Sequence, residues 1–197
     1  MRGVDFAPKL IEGARSIKEQ WAGRLQCEPE FVCDDAVAHI QKEPERSWDA
    51  IITERFLLNL PSASSQQQVI RAIYRALRPG GTFLMCEGSE DGHEGLNRLR
   101  ERVGLAVIPR NRADNISARR FQDAEIERFA TKEVGFKLTR KLGYSSYFLI
   151  SRVLHPLLVH PQEPRFDAKI NEFAMRIQQH TAFSPGYGSN VLWVFEK

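Results

Sequence analysis

Leu77-Arg78-Pro79-Gly80-Gly81-Thr82-Phe83-Leu84-Met85-Cys86-Glu87 decides the fold. The stretch before it, Ser64 to Leu77, puts Val69, Ile70, Ile73 and Leu77 on one helical face. Pro79 followed by Gly80 and Gly81 forbids the helix to continue. Thr82 to Cys86 is then a short apolar run, the pattern of a buried strand, and it ends in an acid, Glu87. The same sequence of events occurs upstream. Met1 to Phe6 predicts a short strand running into a helix that Ala7-Pro8 opens, with Leu10, Ile11, Ala14 and Ile17 on one face. Phe31-Val32-Cys33 predicts a second strand, ending at Asp34-Asp35, and Trp48 to Thr53 a third, ending at Glu54-Arg55. Downstream, the patterns predict helices over about 94–103 and 123–133 and a strand starting over Gly135 to Arg140. Strands alternating with helices over the first 140 residues predict an α/β fold, a doubly wound and mostly parallel sheet.

Beyond that the pattern changes. Ser145 to Val159 is apolar, Phe166 to Gln179 is amphipathic, and Asn190 to Glu196 reads as a final strand. A C-terminal antiparallel strand pair with an inserted helix is expected. Phe166, Ile170, Phe173, Ala174 and Ile177 would form the insertion's packing face. The 197 residues read as one domain, a core over 1–140 and a tail over 141–197. Hydrophobic content of 42% and charged content of 27% exclude a disordered or fibrous chain. A net charge of +3 is too small to imply a nucleic-acid or membrane partner. No apolar run reaches the roughly 18 residues that a membrane helix needs, and no leader pattern opens the sequence. Three cysteines without paired spacing fit a reducing compartment, so a cytoplasmic location is expected. Cys27, Cys33 and Cys86 should pack as small hydrophobes, and the histidines and cysteines lack zinc-type spacing, so no metal is expected.

In open α/β sheets, ligands bind beyond the carboxyl ends of the strands. Here those ends carry Asp5, Asp34-Asp35, Glu54-Arg55 and Glu87. A carboxylate in that position can accept hydrogen bonds from a ribose or an amino group. Each acid also suits the N-terminus of the helix that follows it.

These residues, in this order, resemble the class I S-adenosylmethionine-dependent methyltransferases, over residues 1 to about 140. Gly3-Val4-Asp5-Phe6-Ala7-Pro8 resembles the family's second strand, which implies that Asp5 binds the ribose hydroxyls with Phe6 beside it. Cys33-Asp34-Asp35-Ala36 is similar to the third-strand segment, which points Asp35 and the Ala36 amide, next to Asp34, at the adenine. Trp48 to Arg55 resembles the fourth strand, which places Glu54 between methyl donor and acceptor. Leu77-Arg78-Pro79-Gly80-Gly81-Thr82-Phe83 is similar to the turn before the fifth strand. The family's first strand and Gly-rich loop would lie before Met1, and Gly186-Tyr187-Gly188 reads only as a turn. The expectation is an N-terminally truncated chain whose second and fourth strands lack their shared ladder partner, so that it folds poorly, rearranges or borrows a strand.

Thr53-Glu54-Arg55-Phe56 stands where many methylases of nucleic-acid amines carry an Asn-Pro-Pro-Tyr type of motif, so the expected acceptor is a small molecule or sugar methylated on oxygen or nitrogen, with a homo-oligomer allowed. Glu54, Asp91 and His93 are the candidate proton acceptors, His93 in a loop after the fifth strand. Arg55 and Asn59 could orient a polar acceptor. His155 and His160 read as core or turn histidines. The basic stretch Arg110, Arg112, Arg119 and Arg120 lacks the interleaved aromatics of a single-strand binder. Two further readings stand beside the enzyme: a non-catalytic, methyltransferase-like interaction protein or inactive fragment, and a nicotinamide-dependent oxidoreductase, which the Arg78-Pro79-Gly80-Gly81 turn and the Asp35-Ala36 pair disfavour.

Overall fold

A computed structural model describes residues 1–110 and 118–197. In chain order the elements are β1 (Arg2–Asp5), α1 (Pro8–Gln20), β2 (Glu30–Cys33), α2 (Ala36–Lys42), β3 (Trp48–Glu54), α3 (Ala63–Ala76), β4 (Leu77–Gly88), α4 (Glu90–Arg102), α5 (Asp123–Arg128), β5 (Lys137–Gly143), α6 (Ser145–Leu149), α7 (His155–Val159), α8 (Lys169–Gln179) and β6 (Asn190–Glu196). The expected α/β alternation is present, but its strands form two sheets. β1 and β2 pair in parallel as a two-stranded ribbon. β3 pairs in parallel with β4, and β6 lies antiparallel between β4 and β5. Among the described residues no ladder joins β1 to β3.

Polar side chains tie the ribbon to the main sheet. The Glu43 carboxylate accepts from Arg2 Nη1 at 2.8 Å and from Trp48 Nε1 at 2.9 Å, so one side chain spans β1 and β3. Arg75 on α3 donates to the Gln41 carbonyl at 2.6 Å, holding α2 against α3. Val37 and Ile40 of α2 reach the main core.

That core lies between α3 and one face of the large sheet. Phe83 and Met85 of β4 register opposite Phe195 and Trp193 of β6, and all four are fully buried. Burying side chains of this size contributes about 1.5–3 kcal/mol each. The predicted face of α3 packs on them, with Val69, Ile70, Ile73 and Leu77 at 1% exposure or less. The Pro-Gly-Gly turn belongs to the strand: β4 begins at Leu77 and its register with β3 slips between Trp48 and Ala50. Gly80 sits at φ +76°, and its N–H donates to the Lys197 carbonyl at 2.8 Å. Gly81 lies so close to β3 that a Cβ would stand 3.1 Å from the Asp49 carbonyl oxygen.

Several sequence expectations are corrected. The run 145–159 is helical, with a wide π turn at Ile150–Leu154, so β6 is the one strand that starts beyond residue 145 among the described residues. On α8 the buried residues are Asn171, Ala174 and Gln178, while Phe173 and Ile177, and Phe166 in the turn before the helix, are exposed. Hydrogen bonds turn the helix this way: Asn171 Nδ2 donates to the Arg165 and Phe166 carbonyls, and Gln178 Oε1 accepts from the Tyr147 N–H. On α1 only Ile11 is buried, and Leu10 and Ile17 face outward, because a two-stranded ribbon offers too narrow a surface for a whole helical face. Cys27 and Cys33 are exposed rather than packed as small hydrophobes.

Candidate functional site

Because β3 and β4 are parallel and β5 and β4 both oppose β6, the carboxyl ends of β3, β4 and β5 meet at one edge. This brings together Glu54, Arg55, Cys86, Glu87 and Tyr144. The chain leaves β3 sharply: Arg55 has φ +49°, a conformation that costs a branched or bulky residue, and its N–H donates to the Cys86 carbonyl at 2.8 Å. Glu54 and Arg55 side chains are exposed at this edge, and Arg55 forms no ion pair among the described residues. Asn59, expected to orient a ligand, donates to the Arg55 carbonyl at 2.7 Å and so shapes the turn.

Glu87 is the fixed point of the site. Its side chain is fully buried, Oε1 accepts from the Phe56 and Leu57 N–H groups at 3.1 and 3.0 Å, and Oε2 accepts from the Leu58 N–H at 3.1 Å. Burial pushes its carboxyl above the usual range, with the three N–H donors opposing. The acid that looked like a ligand group is thereby the anchor of the loop after β3.

Cys86 and Tyr144 line the same edge. Burial raises the Cys86 thiol, and the Glu54 and Glu87 charges raise it further. Burial also raises the Tyr144 phenol, aided by Cys86 and Glu54. Both groups stay protonated near neutral pH, so Tyr144 offers a hydrogen-bond donor at the same sheet edge as the Glu54 carboxylate and Cys86 is no thiolate nucleophile. Sequence reasoning missed Tyr144. Its neighbours lie far away in the chain, and its only sequence signal is its place immediately after a strand.

At the ends of β1 and β2, Asp5 Oδ1 accepts from the Ala7 N–H at 2.7 Å, and Oδ2 makes no bond to a described residue. Phe6 is 80% exposed next to it. Asp34 is bound to the Asp35 N–H at 2.8 Å and stands 3.1 Å from His39 Nδ1, which holds its carboxyl below the usual range. Asp35 caps α2 by accepting from Val37 N–H at 2.8 Å, while the Ala36 N–H has no partner among the described residues. The polar groups at these strand ends are thus the Asp5 carboxylate, the half-buried Asp34 and the Ala36 amide. Asp5 Oδ2 and the Ala36 N–H keep a free acceptor and a free donor at the edge among the described residues, a pair that fits a nucleoside, whereas both Asp34 oxygens are engaged, by the Asp35 N–H and by His39.

His93 is not in a loop. Ser89 caps α4 through its Oγ, which accepts the Gly92 N–H at 2.9 Å, and so the helix starts before the predicted 94. His93 therefore sits in its first turn, 5% exposed, with Nε2 3.3 Å from Asn97 Nδ2. Burial and the nearby Arg120 charge push its pKa down. Asp91 accepts the Asp123 N–H at 2.7 Å, a cap for α5. Of the basic stretch, Arg110 and Arg120 face the buried Glu90 at 3.0 and 3.8 Å, Arg119 donates its N–H to the Leu58 carbonyl, and Arg112 lies outside the described residues. His155 is buried and His160 exposed.

Comparison with known proteins agrees with this geometry. Residues 1–85 match a family described as a methyltransferase domain. An S-adenosylmethionine-dependent methyltransferase from Methanosarcina mazei covers 100% of the chain with 81% of its own, at 14% identity and TM-score 0.58. One from Archaeoglobus fulgidus covers 100% with 75% of its own, at 13% identity and TM-score 0.56. A cyclase superposes as well, covering 100% of the chain with 65% of its own, at 15% identity and TM-score 0.55. No curated protein matches. The fold is that of the class I methyltransferases. The cyclase shows why the reaction has to be argued from the site.

Proposed function

We propose that this chain, built on the class I methyltransferase fold, transfers a methyl group from S-adenosylmethionine to an oxygen or nitrogen of a small molecule or sugar. The observation that supports it most is the edge where β3, β4 and β5 end, which carries an exposed Glu54 carboxylate and a protonated Tyr144. When bound, the cofactor supplies an electrophilic methyl carbon on a sulfonium. Asp5 accepts hydrogen bonds from ribose hydroxyls through its free Oδ2, and Phe6, Asp34, Asp35 and the Ala36 amide flank the adenine. Glu54 takes the acceptor's proton, and Arg55, unpaired in charge, draws a polar or anionic acceptor to the same edge. Tyr144 donates a hydrogen bond that fixes the acceptor for an in-line approach. His93 supports α4 from inside and does not meet the acceptor.

A second reading, an interaction protein of this fold without transfer activity, draws on the break between β1 and β3. A methyl-transfer assay against a panel of small hydroxyl and amine acceptors separates the two. Under the first reading Glu54→Gln lowers kcat by about 10²–10⁴ at unchanged cofactor affinity. Transfer at the parent's rate in that variant removes Glu54 from the reaction.

A further inference from the structure

Away from the strand ends, a cavity of about 190 Å³ opens between the last turn of α4, the π turn at Ile150–Leu154 and the start of α7. Arg100, Ser151 and Arg152 supply its polar wall, and Ile108, Pro156 and Phe166 its apolar one. Three observations single it out. Ser151 lines the cavity, is 1% exposed, and its buried Oγ has no hydrogen-bond partner among the described residues. A buried hydroxyl left unpaired is destabilising, so a ligand that satisfies it is favoured.

Two guanidinium groups share this wall. Arg100 donates to the Arg152 carbonyl through Nη1 and to the Ala106 carbonyl through Nε at 2.8 Å. Arg152 stacks over the Phe166 ring, 4.8 Å from its centroid. Neither arginine meets a carboxylate among the described residues, whereas Arg165 beside them is neutralised by Asp167 at 2.5 Å. Burial and the Arg152 charge together lower Arg100, the mark of two cations held close without a counter-ion.

We propose that this cavity binds a small organic carboxylate, its oxygens held by Arg100, Arg152 and the Ser151 hydroxyl and its apolar body resting against Pro156 and Phe166. The planar fork of a guanidinium matches a carboxylate, and a Ser hydroxyl can turn to donate. The volume, roughly six waters' worth, admits a ring-sized body. The apolar wall disfavours a fully hydrated anion such as inorganic phosphate. The site lies apart from the methyl-transfer edge, since none of Glu54, Arg55, Cys86 and Tyr144 lines it.

The test uses the full chain, with the Nε–Hε resonances of Arg100 and Arg152 followed by NMR during titration with benzoate, benzamide and inorganic phosphate. Benzoate should shift both signals saturably, benzamide should not, and phosphate should bind at least tenfold more weakly. Ser151→Ala removes an unpaired hydroxyl and leaves the fold intact, and it should weaken benzoate about tenfold. Arg152→Gln should abolish the shift at Arg100, with a thermal melt to show the variant folded. Equal binding of benzamide or of phosphate overturns the proposal. So does the absence of a saturable shift, or parent-like affinity in Ser151→Ala.

Discussion

Replacing Glu87 tests the frame on which the site hangs. Its two carboxylate oxygens accept three backbone N–H groups from Phe56, Leu57 and Leu58. In Glu87→Gln the amide oxygen can keep Phe56 and Leu57, while the new NH₂ faces the Leu58 N–H, donor against donor. One buried bond is lost and one buried donor is left unpaired, about 2 kcal/mol. In Glu87→Ala all three donors lose their partner. Relief of the buried charge offsets part of that, since burial already disfavours the carboxylate, and a net loss of about 4 kcal/mol is expected. Those losses are large against a typical 5–15 kcal/mol of total stability. Urea unfolding at neutral pH, read as the midpoint with an unchanged slope, measures both. Equal stability of the two variants, or parent-like stability of either, would refute the anchoring of the β3 loop by Glu87.

Two further outcomes follow from packing and titration. Gly92→Ala drives a Cβ into the Gly188 carbonyl oxygen and should lose roughly 1–3 kcal/mol, whereas Gly13→Ala in α1, with nothing within 4 Å, should gain about 0.5–1 kcal/mol; thermal melts of both variants check the contrast. His93 titrates lower in the folded protein than the ordinary 6.5, so the unfolded chain binds the proton first and stability falls as pH drops from about 6.5 through the folded value. His93→Gln should remove that slope, seen as a parent-minus-variant stability difference that shrinks between about pH 7.5 and about pH 5.5 in urea unfolding.

The parallel strands and the core face of α3 were legible because each is local and strongly patterned. Val69, Ile70 and Ile73 repeat at helical spacing, and Phe83 and Met85 alternate within an apolar run. The outward turn of α8 was not legible, because Asn171 and Gln178 bury themselves through hydrogen bonds to Arg165, Phe166 and Tyr147 that no periodicity reveals. His93 looked like a loop residue until Ser89 was seen to cap α4 and swing it inward. At the site, the acids at strand ends were visible as a set, but their division of labour was not. Asp35 caps a helix, Glu87 anchors a loop, and Asp5 keeps one oxygen free, a distinction made by neighbouring N–H groups rather than by residue type. Tyr144 escaped notice because β5 and β3 are brought to one edge only through β6 and β4.

Under the proposed function the ends of β1 and β2 hold the adenosine part of S-adenosylmethionine. Calorimetric titration of S-adenosylhomocysteine into the full chain and into Asp5→Asn tests it most directly, since Asn keeps an acceptor for the Ala7 N–H while losing the charge. The account predicts saturable binding to the parent and a loss of about tenfold or more in the variant. Equal affinity in the two proteins, or no binding to a parent that unfolds cooperatively, would contradict it.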